Sequence, residues 1–505
     1  MARPDRSPPI FVSLLVAAAL ASLVPSFYGA AVGDFDNARV FFYCGLLFAI
    51  AATFIGIAVA TTPRNRTEHR YLLGLVLSYF WLPAVLALPM VQATDDLRLI
   101  DIYFDMASAL TTTGAPIFAP AQLADTVHLW RATVGWFGGL LIWITALAVL
   151  APLNLGGFEV SSDARPGTQG ASLRGQLATV TAAGRLRRAA ALLIPIYMGL
   201  TLVLALALTI VGERPLFAVM HAMSTLSTSG ISAVRGPQDG AAGLTGEVLI
   251  ALFFVFALTR RSFSNGFSAD WLGVMSRDRE LRLAIFVAIV LPSFLFMRHW
   301  LAAFEGNDLD DLGGAFAALW GAFFTVLSFL TTTGFVSDSW AQARSWSGLP
   351  TPGLILAGLV IMGGGVATTA GGLKLLRIYA LYKHGAREID RLIHPHSVAG
   401  AGRLGRRIRR EGAFIAWVFF MLLLITVGAV TLALGMTGLD FEQALILALS
   451  AIATAGPLAN VAGEAPISYM DLGDLAKFIL VAAMIIGRME TLVFIAVLNP
   501  TFWRT

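Results

Sequence analysis

Ser108-Ala109-Leu110-Thr111-Thr112-Thr113-Gly114-Ala115-Pro116 is the stretch on which the reading of this chain turns. It returns three times: as Leu226-Ser227-Thr228-Ser229-Gly230-Ile231, as Leu330-Thr331-Thr332-Thr333-Gly334-Phe335 and, in a worn form, as Ile452-Ala453-Thr454-Ala455-Gly456-Pro457. The glycines stand more than a hundred residues apart, too far for a solenoid repeat and suited to a membrane hairpin with a re-entrant segment. A short apolar segment precedes each copy, at 103–110, 215–226, 314–330 and 441–452, and a longer apolar span follows. The repeated unit reads as spanning helix, short helix, Thr/Ser-Gly strand, spanning helix.

A bilayer tolerates irregular backbone only where protein buries it or where it lines water. Four such segments at similar depth predict four short helices that converge on one axis and hand over to extended strands. Their carbonyls would then replace the hydration shell of a monovalent cation. Glycine supplies backbone angles that a Cβ resists, and the hydroxyls hold the strand from behind or add a ligand. The helices aim their negative C-terminal ends at the cavity, which favours a cation. No formal anion is present, so a hard divalent ion is poorly served. The candidate ligands are Thr112, Thr113 and Gly114; Thr228, Ser229 and Gly230; Thr332, Thr333 and Gly334; and Thr454, Ala455 and Gly456.

The composition demands a membrane. Of 505 residues, 57% are hydrophobic and 13% charged, against about 25% charged in a soluble domain; the mean hydropathy is +0.76. The expected fold is an all-α polytopic membrane protein with about ten transmembrane helices, near 9–32, 39–61, 71–93, 128–151, 189–211, 245–265, 281–301, 350–384, 411–435 and 471–498. Arg3 and Arg6 ahead of the first span resemble a signal peptide, but the run is long and a second span follows at once, so it reads as a first helix. Two leading helices (1–65) precede four pseudo-repeats around one pore, at 66–160, 161–275, 276–395 and 396–505. Arg-rich loops, with Arg185 among their charges, alternate with acidic ones, to which Asp101 and Asp105 are assigned. The positive-inside rule makes the basic loops cytoplasmic, puts both termini there and sets the four Thr/Ser-Gly segments on the outer side. Topology therefore accounts for the net charge of +4, and nucleic acid is not an expected partner. Cys44, the one cysteine, allows neither an intrachain disulfide nor a thiolate cluster.

Two features lie outside the repeats. The span 350–384 is interrupted by Gly363, Gly364 and Gly365, then Thr368 and Thr369, then Gly371 and Gly372. Each glycine costs about 1 kcal/mol against alanine in a straight helix, so a break is the simpler reading. A phosphate-binding loop fails, because Leu373 separates Gly372 from Lys374 and no Ser or Thr follows. Lys374 and Arg377 read as the cytoplasmic exit of that helix. Arg488 sits well inside the last span, where a charge must be paired or watered. Glu490 is too near along the helix to share its face, so Arg488 either points into the pore or at the carbonyls of the broken segment, where it would raise a barrier to cations, or is a structural arginine that ties helix ends. Asn265 and Glu490 are weaker candidates for polar packing.

Over nearly its whole length the chain resembles the Trk/Ktr/HKT superfamily of potassium transporters, closest to the bacterial TrkH type. The residues that carry the resemblance are the Thr/Ser-Gly segments, Trp136-Phe137-Gly138-Gly139, the run from Met362 through Gly372 to Lys374, Arg277-Asp278-Arg279-Glu280-Leu281 and Gly487-Arg488-Met489-Glu490. The fourth segment reads Gly456-Pro457-Leu458 where the family has Gly-Pro-Gly, and Ala367, Thr368 and Ala370 stand where glycine or serine is usual. The resemblance implies that 363–372 is a gate. It implies a homodimer in the bacterial inner membrane, with a cytosolic TrkA-like nucleotide-binding regulatory subunit docked on its Arg-rich face. K+ would be the transported ion, and this chain would hold no organic cofactor.

No ATP-binding motif or HExxH occurs and the seven histidines are scattered, so an enzyme is not expected. The membrane potential supplies about 2.3 kcal/mol per charge per 100 mV, which lets a passive gated pore accumulate potassium. The alternatives are a sodium-permeable pore of the same family and the pore subunit of a potassium pump. The family associates serine at the position of Gly114 with sodium.

Overall fold

The computed structural model describes residues 9–60, 68–94, 96–151, 182–259, 271–276, 278–303, 312–347, 353–393 and 403–489. The helices are α1 (Ile10–Val32), α2 (Phe35–Ala60), α3 (Glu68–Ala93), α4 (Leu99–Leu110), α5 (Asp125–Thr145), α6 (Ala182–Ile210), α7 (Pro215–Ser227), α8 (Gly243–Phe253), α9 (Val255–Leu258) and α10 (Trp271–Ser276). They continue as α11 (Arg279–Ala303), α12 (Leu312–Leu330), α13 (Trp340–Ser347), α14 (Gly353–Met362), α15 (Leu375–Ile393), α16 (Arg403–Gly435), α17 (Phe441–Ile452), α18 (Leu458–Val461) and α19 (Asp474–Met489). No β-strand occurs among the described residues. The expected strands after the short helices are therefore isolated turns of irregular backbone, without a ladder.

Eight described helices are long and apolar enough to cross a membrane. This multi-pass, all-helical architecture agrees with the composition, but the set of spans differs from the ten expected. The segment 313–330, read as a short helix, is one of the eight, whereas Gly243–Leu258 and Gly353–Met362 fall short of that length. The first is bent at Phe254, between α8 and α9, and the second stops at Gly363. The helix after the first Thr-Gly segment ends in a π-helical turn, Ala146–Leu150. The last span is described as far as Met489, so Glu490 lies outside the described residues, as do Asn265, Arg64, Arg66, Arg260, Arg261 and Arg277.

Burial separates two surfaces. Leu20, Phe27, Phe54, Ile210, Phe294 and Leu432 on α1, α2, α6, α11 and α16 are exposed, as lipid requires. The short helices α4, α7 and α17 are buried over their C-terminal halves, where they meet the Thr/Ser-Gly segments. α1 and α2 pack on one another as a hairpin, and α1 also packs on α5. Gly45 makes that hairpin close, since a Cβ there would run into the Ser22 hydroxyl.

Charge placement departs from the loop reading. Asp101 and Asp105 lie in α4 with 2% exposure each. Arg185 is likewise buried and donates to the Ala148 carbonyl at 3.1 Å. Arg377, expected at a wetted exit, is buried with its guanidinium 3.6 Å from the Phe419 ring centroid. A guanidinium can leave water when it stacks on an aromatic face.

Candidate functional site

Each Thr/Ser-Gly segment begins where a short helix ends, and all four leave the helix in the same way. The amide two residues before the glycine turns back to a carbonyl three residues earlier: Thr112 to Ala109, Thr228 to Thr225, Thr332 to Phe329 and Thr454 to Ala451. The next amide donates to a serine carbonyl: Thr113 to Ser108, Ser229 to Ser224, Thr333 to Ser328 and Ala455 to Ser450, at 2.8–3.0 Å. Between these bonds the backbone is left-handed at a threonine every time. The φ values are 54° at Thr112, 53° at Thr228, 57° at Thr332 and 52° at Thr454. A β-branched residue resists that region, at a cost of about 1–2 kcal/mol. Four such residues at corresponding positions mark a geometry that the surroundings impose. A serine stands six residues before each of the four glycines.

The glycines close the segments into a ring. A Cβ on Gly114 would overlap the Ser229 carbonyl, and one on Gly230 would overlap the Thr333 carbonyl. One on Gly334 would lie 2.8 Å from the Pro457 ring, and one on Gly456 would overlap the backbone of Ala115. First meets second, second meets third, third meets fourth, and fourth returns to first. The Gly456 amide seals the closure by donating to the Thr113 carbonyl at 2.6 Å. Gly114, Gly230 and Gly334 are left-handed, at 64°, 65° and 82°, but Gly456 is not. Glycine is thus required at all four positions by the neighbour's approach and at three of them also by φ.

Hydroxyls brace the ring from behind. Thr111 pairs with Thr113 at 2.9 Å, Ser227 with Ser229 at 2.9 Å and Thr331 with Thr333 at 3.0 Å. The fourth segment has Ala453 and Ala455 at these positions. There, Tyr469 and Ser450 substitute: the Tyr469 hydroxyl donates to the Gly456 carbonyl at 3.0 Å and meets Ser450 Oγ at 2.7 Å. Thr112 Oγ1 and Thr454 Oγ1 are buried with no protein partner.

The broken span sits against one face of this ring. Gly363 (φ 69°) and Gly372 (φ 74°) turn the chain out of α14 and back into α15. A Cβ at Gly364 would press on the Ala257 carbonyl, at Gly365 on the Leu258 carbonyl and at Gly371 on the Ala453 carbonyl. Val366 donates its amide to Glu280 Oε1 at 2.9 Å, and Thr368 Oγ1 donates to the Ala257 carbonyl at 3.0 Å. Toward the ring, Thr369 Oγ1 donates to the Leu226 carbonyl at 3.0 Å and the Gly371 amide to Thr332 Oγ1 at 2.8 Å. Lys374, expected at the helix exit, is buried and left-handed (φ 83°), and its Nζ donates to the Ala370 carbonyl. It closes the loop on itself.

Arg488 meets the broken segment. Its Nη1 donates to the Thr369 carbonyl at 2.6 Å, and the rest of the guanidinium faces the buried Tyr79 and Tyr197. A small cavity opens there, lined among others by Ala146, Leu150, Thr368, Lys374 and Arg488. Gly487 beside it and Gly138 play matching parts. A Cβ at Gly487 would overlap the Ile452 carbonyl and one at Gly138 the Leu110 carbonyl, so two separate motifs let a long helix press on the end of a short one.

Several residues at the site have partners that the sequence does not reveal. Asp101 is bound to Lys477 at 2.6 Å and Asp105 to Arg131 at 2.7 Å and 2.8 Å, all four side chains buried. The first pair ties α4 to α19, so it crosses the same first-to-fourth junction as Gly456. Glu247 on α8 accepts from Trp320 Nε1 at 2.6 Å and Ser337 Oγ at 2.8 Å, which binds the second unit to the third. Asp278 accepts from Thr259 Oγ1 and from the Glu280 amide. No group of His, Cys, Asp and Glu among the described residues could hold a metal ion.

A family model described as TrkH, cation transport protein, matches residues 283–501. The Trk system potassium uptake protein TrkH of Salmonella typhimurium is 32% identical over 440 residues, covering 85% of this chain and 85% of that protein. The Trk system potassium uptake protein TrkI of Halomonas elongata is 28% identical over 472 residues, covering 91% and 90%. The crystal structure of the potassium transporter TrkH from Vibrio parahaemolyticus superposes with a TM-score of 0.79 at 24% identity, over 98% of both chains. At that identity the superposition speaks for the fold.

Proposed function

This chain belongs to the TrkH family of cation transport proteins, a family of transporters and not of enzymes, and on that premise we propose that it takes up potassium through a gated, channel-like pore. The observation that carries the reading is the ring. Four segments with left-handed threonines close on one another through glycines and receive the C-terminal ends of the short helices. Such a ring concentrates carbonyls and hydroxyls without a formal charge, which suits a dehydrated monovalent cation. The proposed ligands are Thr112, Thr113, Gly114, Thr228, Ser229, Gly230, Thr332, Thr333, Gly334, Thr454, Ala455 and Gly456. Residues 363–372 act as the gate, with Gly363 and Gly372 as its turning points, and Arg488 adds an electrostatic barrier beneath it. The four units at 66–160, 161–275, 276–395 and 396–505 each contribute one wall. The membrane potential drives uptake.

The relatives' names supply the ion and the setting. They are potassium uptake proteins of a Trk system, and the term "system" supports a further component. We assign this chain to the bacterial inner membrane as a homodimer with cytoplasmic termini, the ring on the outer side and a TrkA-like nucleotide-binding subunit on the cytoplasmic face. A less selective, sodium-permeable pore is the second reading. What favours it is the fourth segment, which lacks both bracing hydroxyls and the left-handed glycine.

The test is cation flux into proteoliposomes of the purified protein under an imposed inside-negative potential, without ATP. Potassium or rubidium entry that sodium, lithium and choline do not match is expected once residues 363–372 are trimmed. Equal sodium entry would favour the second reading, and no entry of any cation from the trimmed protein would overturn the pore.

A further inference from the structure

The broken segment does more than lie across the path. Its Gly371 amide donates to the hydroxyl of Thr332, one of the four left-handed threonines. Gly371 also lies directly against Thr454, since a Cβ on it would overlap both Thr454 Oγ1 and the Ala453 carbonyl. The four corresponding hydroxyls are thus unequal. Thr228 Oγ1 donates to the Ser227 carbonyl at 2.7 Å. Thr332 Oγ1 is engaged by the loop. Thr112 and Thr454 are at most 1% exposed, and their hydroxyls have no protein partner. A buried hydroxyl without a partner costs free energy unless something else occupies it.

Resting on the pore reading above, we infer that Thr332 is a latch whose hydroxyl is shared in alternation between the Gly371 amide and a dehydrated cation. With the loop docked, the Thr332 oxygen accepts an N–H and Gly371 fills the space beside Thr454. The inner end of the ring then lacks a third oxygen and the room for an ion. With the loop withdrawn, the Thr332 oxygen joins Thr112 and Thr454, whose oxygens are already free of protein donors, in an oxygen-lined site for a monovalent cation. Loop closure and ion occupancy at this site exclude each other. By linkage, a cation that binds there must favour release of the loop.

The anchors divide accordingly. Three bonds hold the half of the loop that must withdraw: Gly371 to Thr332 and Thr369 to Leu226 toward the ring, and Arg488 to the Thr369 carbonyl from the last helix. Val366 to Glu280, and Gly365 and Thr368 to Ala257, lie on the loop's opposite half. Withdrawal needs only the first set broken, while the second set remains as a tether.

Two experiments test the latch on the full-length protein. In amide exchange of the reconstituted protein in choline, Thr332→Val removes the acceptor while keeping the shape. It should speed exchange of the Gly371 amide about fivefold, the factor expected for one lost hydrogen bond, and Thr332→Ser should return it towards the native rate. A Thr332→Val protein whose Gly371 exchange equals the native one overturns the latch. The second experiment needs no mutation. Amide exchange of Gly371 is compared in potassium and in choline at equal ionic strength. Potassium should speed it severalfold while leaving Val366, on the tethered half, unchanged. Equal protection in both salts also overturns the latch. Conduction by the loop-trimmed protein separates the two ideas: if it conducts and both tests fail, the latch alone is wrong, and if it does not conduct, the pore reading falls first.

Discussion

The first three walls of the ring and the fourth reach one backbone path by different means. In the first three, a pair of hydroxyls flanks the left-handed threonine and the glycine itself is left-handed. In the fourth, both hydroxyls are replaced by alanine, Gly456 has an ordinary φ, and Tyr469, from beyond the segment, joins Ser450 in gripping the Gly456 carbonyl. What survives in all four is the left-handed threonine and the absence of a Cβ against the neighbouring wall. The comparison therefore separates what the ring requires from what merely braces it. Contact between walls is required; the means of bracing is exchangeable.

The largest effect should come from breaking wall-to-wall contact. Gly114→Ala adds a Cβ into the Ser229 carbonyl and also forces alanine to a φ of 64°. Gly456→Ala adds only the overlap, against the Ala115 backbone. Both should abolish cation flux in the loop-trimmed protein, measured on protein that still elutes as a single folded species. Normal flux with Gly456→Ala would mean that the ring does not need the fourth junction closed.

Next in size is the charge pair across that junction. Asp101→Asn leaves Lys477 buried with the Met470 carbonyl at 3.0 Å as its remaining acceptor among the described contacts. Removing one partner of a buried ion pair costs about 3–5 kcal/mol, which should appear as a marked drop in the thermal unfolding midpoint in detergent. Arg98 and Asp474 join the same two helices at the surface, where pairs contribute little. Arg98→Ala should leave the midpoint where it is. Equal drops for both would show that the junction is held by something other than burial.

These pairs also show where a sequence stops being informative. Polytopic character, the four Thr-Gly positions and the break after Met362 are local signals: apolar length, a repeated tetrapeptide, a cluster of glycines. Thr112 at φ 54° was not legible, because threonine has no preference for that region and the constraint comes from the next wall. The register of Ser108, Ser224, Ser328 and Ser450 was legible in principle, by aligning the four copies on their glycines. Asp101 looked like a loop charge because acidic residues at the edge of an apolar run usually are; its partner stands 376 positions away. Lys374 and Arg377 looked like exit charges for the same reason. Their partners, a carbonyl four residues back and an aromatic face on α16, exist only once the helix has broken.

A smaller effect tests the fourth wall's own brace. Tyr469→Phe removes the bonds to the Gly456 carbonyl and to Ser450, a loss of about 1 kcal/mol per bond, while keeping the ring packed 5.7 Å from Phe104. The protein should remain folded and conducting. Its preference for potassium over sodium should fall severalfold in competitive flux, because the fourth carbonyl then keeps only the longer bond from Ser450, at 3.2 Å. An unchanged preference would assign selectivity to the first three walls alone.

The smallest effect should follow from making the first wall resemble the fourth. Thr113→Ala reproduces the situation at Ala455. It removes the bond from Thr111 Oγ1, but that hydroxyl keeps its bonds to the Ala107 carbonyl at 2.8 Å and to the Ser108 carbonyl at 3.2 Å. No buried donor is stranded, so the change should cost at most about 1 kcal/mol and shift the selectivity ratio less than Tyr469→Phe does. The two differ in what they leave behind. Thr113→Ala spares the Thr113 carbonyl, which still accepts the Gly456 amide and so keeps the first and fourth walls joined. Tyr469→Phe leaves the carbonyl of that same glycine with the Ser450 bond alone. If Thr113→Ala nevertheless proves the more damaging in competitive flux, bracing by the hydroxyl pair outranks bracing from outside the wall, and the fourth wall, which lacks that pair, would be the weak side of the ring.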